Sequence, residues 1–493
     1  VLGGRFFGAR HAEGAGRVAA FAMLPAAEAL AEWFGPARAR GLACDPDALR
    51  GALDRDIAAI DRLIGTQLDT ILHHSRLSRL EGSWRGLAWL AGGIDPNTRV
   101  KVKVLNLGWQ ELCRDLERAA EFDQSHLFRK IYEEEFGSPG GEPYGVLLVD
   151  HEMRHRPGSG QPTDDVGVID RLAGVAAAAF APTVLAASPA LLGVDAFTDL
   201  GLTVDLGTPF AGPEFSRWRG LSSREDMRFV GVTLPRLLAR APWGDDPARA
   251  DGFRYAEYAP DAASRVWMTA VYAFGSVVMR AFVNHAWPAD VRGSETDRLG
   301  GGLVTGLPIE PFATDPDHVW VRPPVDLVLT ERQERALVEA GLMPLSALPY
   351  GEEALFAAVR SLQAPASFIG PTAAAANANA RISAQLNSML CASRFAHYLK
   401  FKGRQMVGTF KTAGEIEREL RAWLMNYVNA SLSGGTDSRS RYPLVSASVS
   451  VRERAGRPGV FACTMLLQPH FQLDEVAASF RLVTDITAPG VQG

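Results

Sequence analysis

The 493 residues predict an α/β body, preceded by a helical N-terminal region and followed by a mixed α+β C-terminal segment. Three observations carry that prediction. Short apolar runs at residues 146–149, 183–187 and 229–234 alternate with helical patterns, as strands do when crossover helices cover them. Residues 46–74 hold one apolar stripe with steps of three and four. From Val445 onward, Val and Ala alternate strictly with Ser, which is the period of a strand.

Composition narrows the class. Lys plus Arg total 51 against 56 for Asp plus Glu, so a net charge of −5 gives no global drive toward nucleic acid or anionic membrane. A hydrophobic fraction of 47% with 22% charged residues is that of a folded globular chain. Cys44, Cys113, Cys391 and Cys463 are scattered without a CxxC, which indicates reduced thiols in a cytosolic protein. Arg5, Arg10 and Arg17 before Val18–Leu24 imitate a secretory signal. Glu13, Pro25 and Glu28 interrupt it, however, and a short amphipathic helix is expected instead. The uncharged run 172–194 is long enough to span a bilayer, but it is Ala-rich, and Pro182 and Pro189 divide it into a helix ending near Phe180 and a strand.

Taken in order, residues 26–34 form a short helix. The stripe Leu49, Leu53, Ile57, Ile60, Ile64, Leu68 and Ile71 defines a long one, with Asp45-Pro46 as its cap and first turn, and it packs on a core or on a partner's helix. A helix over 77–90 carries Leu80, Trp84 and Leu87 and stops at Gly92-Gly93. Residues 99–107 read as a half-exposed strand, with Val100, Val102 and Val104 on one face and Arg99, Lys101 and Lys103 on the other. Helices over 109–120 and 125–136 follow, then the strand at 146–149 and the helix–strand unit 166–187. The strand at 229–234, a helix near 264–285 and a strand at 325–329 complete the body. Residues 373–380 read as a loop entering a helix over 381–400, with Ile382, Leu386, Met389 or Leu390, Phe395 and Leu399 inward. A helix over 415–430 precedes strands at 444–452 and 460–467, joined by a turn at 455–459, and a third strand at 478–483. No tandem repeat of solenoid period is present.

The strongest catalytic motif is His151-Glu152-Met153-Arg154-His155, which matches HExxH, a zinc site whose two imidazoles need one helical face. Here it follows a strand directly, and Pro157, Gly158, Gly160 and Pro162 prevent helical continuation, so a solvated loop is expected. The Gly-rich segments 137–141 and 300–302 lack the Lys-Ser/Thr of a phosphate loop, and no GxSxG elbow occurs. His73 and His74 diverge on a helix and suit capping or surface contact. Trp84, Trp89, Trp109 and Trp218 read as core.

Longer segments carry a resemblance. Ile71-Leu-His-His74, Leu80-Glu-Gly-Ser-Trp-Arg-Gly-Leu87, Glu121-Phe-Asp-Gln-Ser125, Lys130-Ile-Tyr-Glu-Glu-Glu-Phe-Gly137 and Val230-Gly-Val-Thr-Leu-Pro-Arg236 are similar to the large sheath subunit of type VI secretion systems, the TssC/VipB family. So are Gly301-Gly-Leu-Val-Thr-Gly-Leu-Pro308, Ser393-Arg-Phe-Ala-His-Tyr-Leu-Lys400, Arg441-Tyr-Pro-Leu444 and Pro469-His-Phe-Gln-Leu473. The resemblance implies a phage-tail-sheath-like subunit with no catalytic site, cofactor or metal. It implies a cytoplasmic protein whose partners are a small sheath subunit, further copies of itself in a helical sheath, an inner tube protein, a baseplate and an AAA+ disassembly ATPase, with no nucleic acid and no membrane insertion. On this reading residues 1–95 contact the small subunit, 96–370 form the body, and 371–493 carry strands shared in a lattice. The residues expected on those strands are Val445, Ala447, Val449, Val451, Val460, Ala462, Thr464 and Leu466. Leu30, Trp33 and Phe34 are the nearest match to the family's ATPase handle. The contrasting reading is a zinc-dependent hydrolase built on His151, Glu152 and His155.

Overall fold

Asp45 sets where the longest helix begins. Its Oδ1 accepts from the backbone N–H groups of Asp47 and Ala48, both at 3.1 Å, and Pro46 occupies the first turn, where its missing N–H costs nothing. The computed structural model describes residues 9–158, 160–201, 209–250, 252–294, 299–315, 319–349, 351–370, 373–406, 412–430, 436–453, 461–470 and 480–486. They fall into two units, one of 1–74 with 242–259 and one of 75–241 with 260–493.

The first unit is helical: α1 (Ala9–Ala22), α2 (Ala26–Phe34), α3 (Pro36–Ala43) and α4 (Pro46–Leu72). Gly35, with φ of 82°, stops α2 in a conformation costly for any side chain, and Pro36 starts α3. Residues 242–259 return to the end of α4. There the Tyr255 hydroxyl donates to Asp69 at 2.7 Å, its ring lies over Gly65, and Glu257 meets His73 at 3.1 Å. His73 is therefore a structural contact, as its place at a helix end implies.

The second unit begins with α5 (Ser75–Gly92) and α6 (Trp109–Arg118), and its centre is a parallel sheet. Strands β1 (Leu147–Met153), β2 (Thr183–Ala187), β3 (Val230–Leu234) and β4 (Met343–Pro344) lie in that order. β2 and β3 are buried at all five positions, which is why they read as continuous apolar runs. The crossover α7 (Asp165–Ala179) ends at Phe180 in a left-handed conformation and covers one face, and α8 (Ala270–His285) packs against the other. Residues 172–194 thus split into helix, strand and a short turn as expected. Among the described residues no helix is long and apolar enough to cross a membrane.

The third layer joins α9 (Ala373–Ser383), α10 (Leu386–Met406) and α11 (Ala413–Met425) to an antiparallel sheet of β5 (Leu444–Glu453), β6 (Phe461–Pro469) and β7 (Phe480–Ile486). Its core holds Phe395, Leu399, Ile416, Leu420, Val449 and Met465. Phe395 stacks on Trp287 with centroids 4.3 Å apart. The anticipated inward set Ile382, Leu386, Met389, Leu390, Phe395 and Leu399 is buried throughout.

Several expectations need correction. Residues 373–380 are helix rather than loop, since Ala has the highest helix propensity and nothing there interrupts it. Helix α8 starts at Ala270 instead of 264, because a 3-10 turn and a two-residue strand at Trp267–Met268 come first. Residues 325–329 form no strand beyond one bridge, Leu237 to Val325. The helix expected over 125–136 continues from Phe128 as a π-helix, Arg129–Gly137, whose end is capped from far along the chain. The Arg404 guanidinium donates to the carbonyls of Phe136, Gly137 and Ser138 at 2.5, 2.6 and 2.9 Å. Residues 99–107 enter no helix or sheet among the described residues. Trp84 is 63% exposed and Leu80 is 55% exposed, whereas Gly82 and Gly86 face inward. The turn at 455–459 and Val460 lie outside the described residues.

Candidate assembly interface

The first three residues of the HExxH motif lie on β1, because that strand runs on to Met153, and Arg154 and His155 follow its end. This overturns the expected solvated loop: His151 and His155 are 3% and 6% exposed. Each ring stacks on a different aromatic, His151 on Trp109 at 3.7 Å and His155 on Phe215 at 4.2 Å. The two histidines therefore do not share the single helical face that the zinc motif needs. Glu152 instead forms a bidentate pair with Arg236, at 2.5 and 2.7 Å. Among the described residues no group of three or more His, Cys, Asp or Glu side chains converges to hold a metal.

The polar residues of the motif are held by the fold. Asp165, at the start of α7, accepts from Trp109 Nε1 at 2.9 Å, Thr163 Oγ1 at 2.8 Å, Gln161 Nε2 at 2.8 Å and the backbone N–H of Arg154 at 3.0 Å, and lies 3.1 Å from His151 Nε2. Burial alone would raise its pKa, but these bonds and the His151 charge hold the carboxyl below its ordinary range. At the end of β3, Asp326 accepts the Arg236 backbone N–H at 2.9 Å. Burial outweighs the Arg236 charge there and pushes its pKa up to about 7.

The sign of that shift makes a prediction. A carboxyl with a raised folded pKa binds its proton more tightly folded than unfolded, so the stability it contributes falls as pH rises from about 4 to about 7. Asp326→Asn keeps the oxygen that accepts from Arg236 and removes the charge. Its melting temperature is expected to lose this decline between about pH 5 and about pH 8, while the acid transition due to Asp165, below about pH 4, is retained.

The described surface also leaves an apolar stripe uncovered. On α4 only Ala52 and Gly65 are buried; Leu53, Ile57, Ile60, Ile64 and Ile71 are 38%, 52%, 39%, 44% and 48% exposed, and Leu63 is 74% exposed. The stripe therefore covers no core of its own over most of its length. Leu30, Trp33 and Phe34 lie beside it and line an open groove of about 450 Å³ together with Phe21, Leu53 and Ile57. Trp33 Nε1 donates to Asp56 at 2.7 Å.

The C-terminal strand residues divide by face. Val449 and Val451 are buried against α11, and Val445 and Ala447, of the same parity, are half-buried. Val449 pairs with Met465 and Val451 with Cys463, so the inward residues of β6 are Cys463, Met465 and Leu467. Ala462, Thr464 and Leu466 face the other way, beside Arg452, Ser450 and Ser448. Both edges of β6 are occupied, by β5 and β7. On β5 the Val451 N–H donates to Glu417 Oε2 at 3.1 Å.

Residues 54–363 match the EvpB/VC_A0108 tail sheath N-terminal domain, and residues 375–486 match the EvpB/VC_A0108 tail sheath gpW/gp25-like domain. The chain belongs to this tail sheath family. It is also 36% identical over 445 residues to the type VI secretion system sheath protein TssC1 of Pseudomonas aeruginosa, a match that covers 89% of this chain and 86% of that protein. The sheath domains begin within α4, span the parallel sheet, and take in the C-terminal sheet as a second module. The buried His151 to Asp165 cluster lies within the tail sheath N-terminal domain match. The hydrolase reading finds no support. Gly82 and Gly86, which set how closely α5 packs, were not recognised from sequence as more than part of a motif. Their spacing of four, which puts both on one helical face, is the signal that could have found them.

Proposed function

We propose that this chain is the large subunit of a type VI contractile sheath. It pairs with a small sheath subunit, and the pairs stack into a tube around an inner tube that contraction propels. The observation that carries the reading is the pair of consecutive sheath-family matches, over 54–363 and 375–486, joined to a TssC1 relative that covers 89% of the chain. The bare stripe of α4 supports it, because an apolar face of this size on a helix is stable in water only when something covers it. On this reading residues 1–95 meet the small subunit, 96–370 are the sheath body and 371–493 make lattice contacts, with Val445, Ala447, Val449, Val451, Val460, Ala462, Thr464 and Leu466 on the strands involved. Inner tube, baseplate and a AAA+ disassembly ATPase are the remaining partners, and the cytoplasm is the site of assembly. Leu30, Trp33 and Phe34 are the proposed ATPase contact, which requires α2 to be peeled from the groove it lines with α4.

Negative-stain microscopy of the chain with and without its small subunit tests the proposal. Regular hollow tubes are expected only when both are present, and soluble particles with no stable complex would overturn it. Ile64→Asp combined with Ile71→Asp is expected to abolish the tubes and reduce the co-purified small subunit by about tenfold or more. Exposed substitutions alter folding by only about 0.5 kcal/mol, so unfolding of the chain itself stays near the parent value.

A further inference from the structure

Lys101, Lys103 and Lys130 each pair with a carboxylate, from Glu142, Glu135 and Glu134. Lys400, on α10, has no carboxylate partner among the described residues. Its Nζ lies 3.9 Å from the centroid of the Phe136 ring and 4.5 Å from that of Tyr132, and it donates to the Tyr132 hydroxyl at 3.2 Å. These two rings meet edge-on at 5.4 Å, and Phe128 stacks on the far side of the pair, 4.7 Å from Tyr132. The amine is thus held in an aromatic corner. One helical turn on, the Arg404 guanidinium is tied to the carbonyls of Phe136, Gly137 and Ser138 and cannot withdraw from it. One turn back, His397 faces the same Phe136 ring at 5.2 Å, and burial pushes its pKa down to about 4, so it adds no charge. The ring faces favour an ammonium, whereas burial and the Arg404 charge favour the free amine. Burial weighs most, Arg404 adds to it, and the pKa of Lys400 is pushed down to about 8.

We propose that Lys400 Nζ is a modification site, acylated by small acyl phosphates. The lone pair of the neutral amine attacks the carbonyl carbon of the acyl phosphate and forms the C–N bond. The bond from that carbon to the bridging oxygen breaks, inorganic phosphate leaves with its electron pair, and the proton lost from nitrogen passes to water. The product is a neutral amide, so the charge held against the two rings and beside Arg404 disappears. Lys400 is half-buried, which leaves it open to a small reagent, whereas an acyl-transferring enzyme must enclose the whole side chain. Tyr132 and Phe136 belong to the N-terminal sheath module and Lys400 to the C-terminal one. Acylation therefore acts on a contact that joins the two modules.

Acetyl phosphate is the probe. The folded chain is incubated with it between about pH 6 and about pH 10, and acetylation of each lysine is followed by peptide mass spectrometry. Lys402, two residues further along the same helix, is the internal reference. At about pH 7.5, Lys400 is expected to react about tenfold faster than Lys402, with a rate that rises toward about pH 8 and then levels. A rate at or below that of Lys402, or one still climbing beyond about pH 9, would sink the proposal. Arg404→Gln keeps a donor for the carbonyls of 136–138 and removes the charge, so Lys400 should slow by about threefold at about pH 7.5 while Lys402 does not change. An unchanged Lys400 rate in that variant would count against the site. The parent chain unfolded in urea supplies a measurement that needs no variant. There the corner is gone and the two lysines are expected to label alike, and an advantage for Lys400 that survives unfolding would overturn the inference.

Discussion

Gly82→Ala is expected to prevent the second unit from closing. A Cβ at this position would stand 2.0 Å from the carbonyl oxygen of Trp267 and 3.0 Å from its carbonyl carbon. The obstacle is backbone, in a strand paired to Leu237–Leu238, so it cannot swing aside as the end of a side chain could. One turn on, a Cβ at Gly86 would meet the Tyr272 ring at 2.4 Å, and Tyr272 is buried against the sheet. Overpacking of this kind costs about 3 kcal/mol or more, because α5 must lift off along its whole inner face. Chemical denaturation of the chain checks the value, with soluble yield as a second readout. Gly92→Ala, on the same helix with nothing within 4 Å of the new methyl, should unfold as the parent does.

Phe395→Ala is expected to have a comparable effect in the C-terminal layer. Its ring is fully buried, stacks on Trp287, and meets Trp423 and Tyr427 edge-on at 6.2 and 5.8 Å. Removing it leaves a cavity where α10, α11 and the loop after α8 converge, at a cost of about 3–5 kcal/mol. Two tryptophans flank that space, so their fluorescence reports the loss before the whole chain unfolds. Phe401→Ala, at a position 56% exposed on the same helix, should change stability by less than about 0.5 kcal/mol.

These two cases show where the sequence was legible. Phe395 stood out because it falls on the inward phase of a regular helix, and helical phase is a local property. Strands β2 and β3 were legible for the same reason, as short apolar runs fenced by Pro and Gly. The inner face of α5 was not, because its packing depends on two glycines, and a pattern that counts large apolar residues picks Leu80 and Trp84, which point outward. β1 was cut short at Val149 because Asp150, His151 and Glu152 look like the start of a loop. Their partners, Thr269, Asp165 and Arg236, lie 119, 14 and 84 residues away. Residues 99–107 represent a third situation. The alternation of Val and Lys reads as a strand, yet no strand pairs with it among the described residues. Among the candidate assembly residues, the stripe on α4 was visible in full, while on β6 the register that turns Cys463 and Met465 inward became clear only with the pairing to β5.

The C-terminal sheet has a mechanical consequence. Nine register pairs join β5 to β6, and β7 grips the opposite edge of β6. Tension directed along these strands is shared by all the rungs at once, as in a lap joint, so failure requires many bonds to break together. Tension directed across them opens one rung at a time, like a zip. A tube built from this subunit is therefore strong or weak at this sheet according to the direction in which its neighbours haul on it, and the same hairpin that withstands a power stroke can be unpicked from one end.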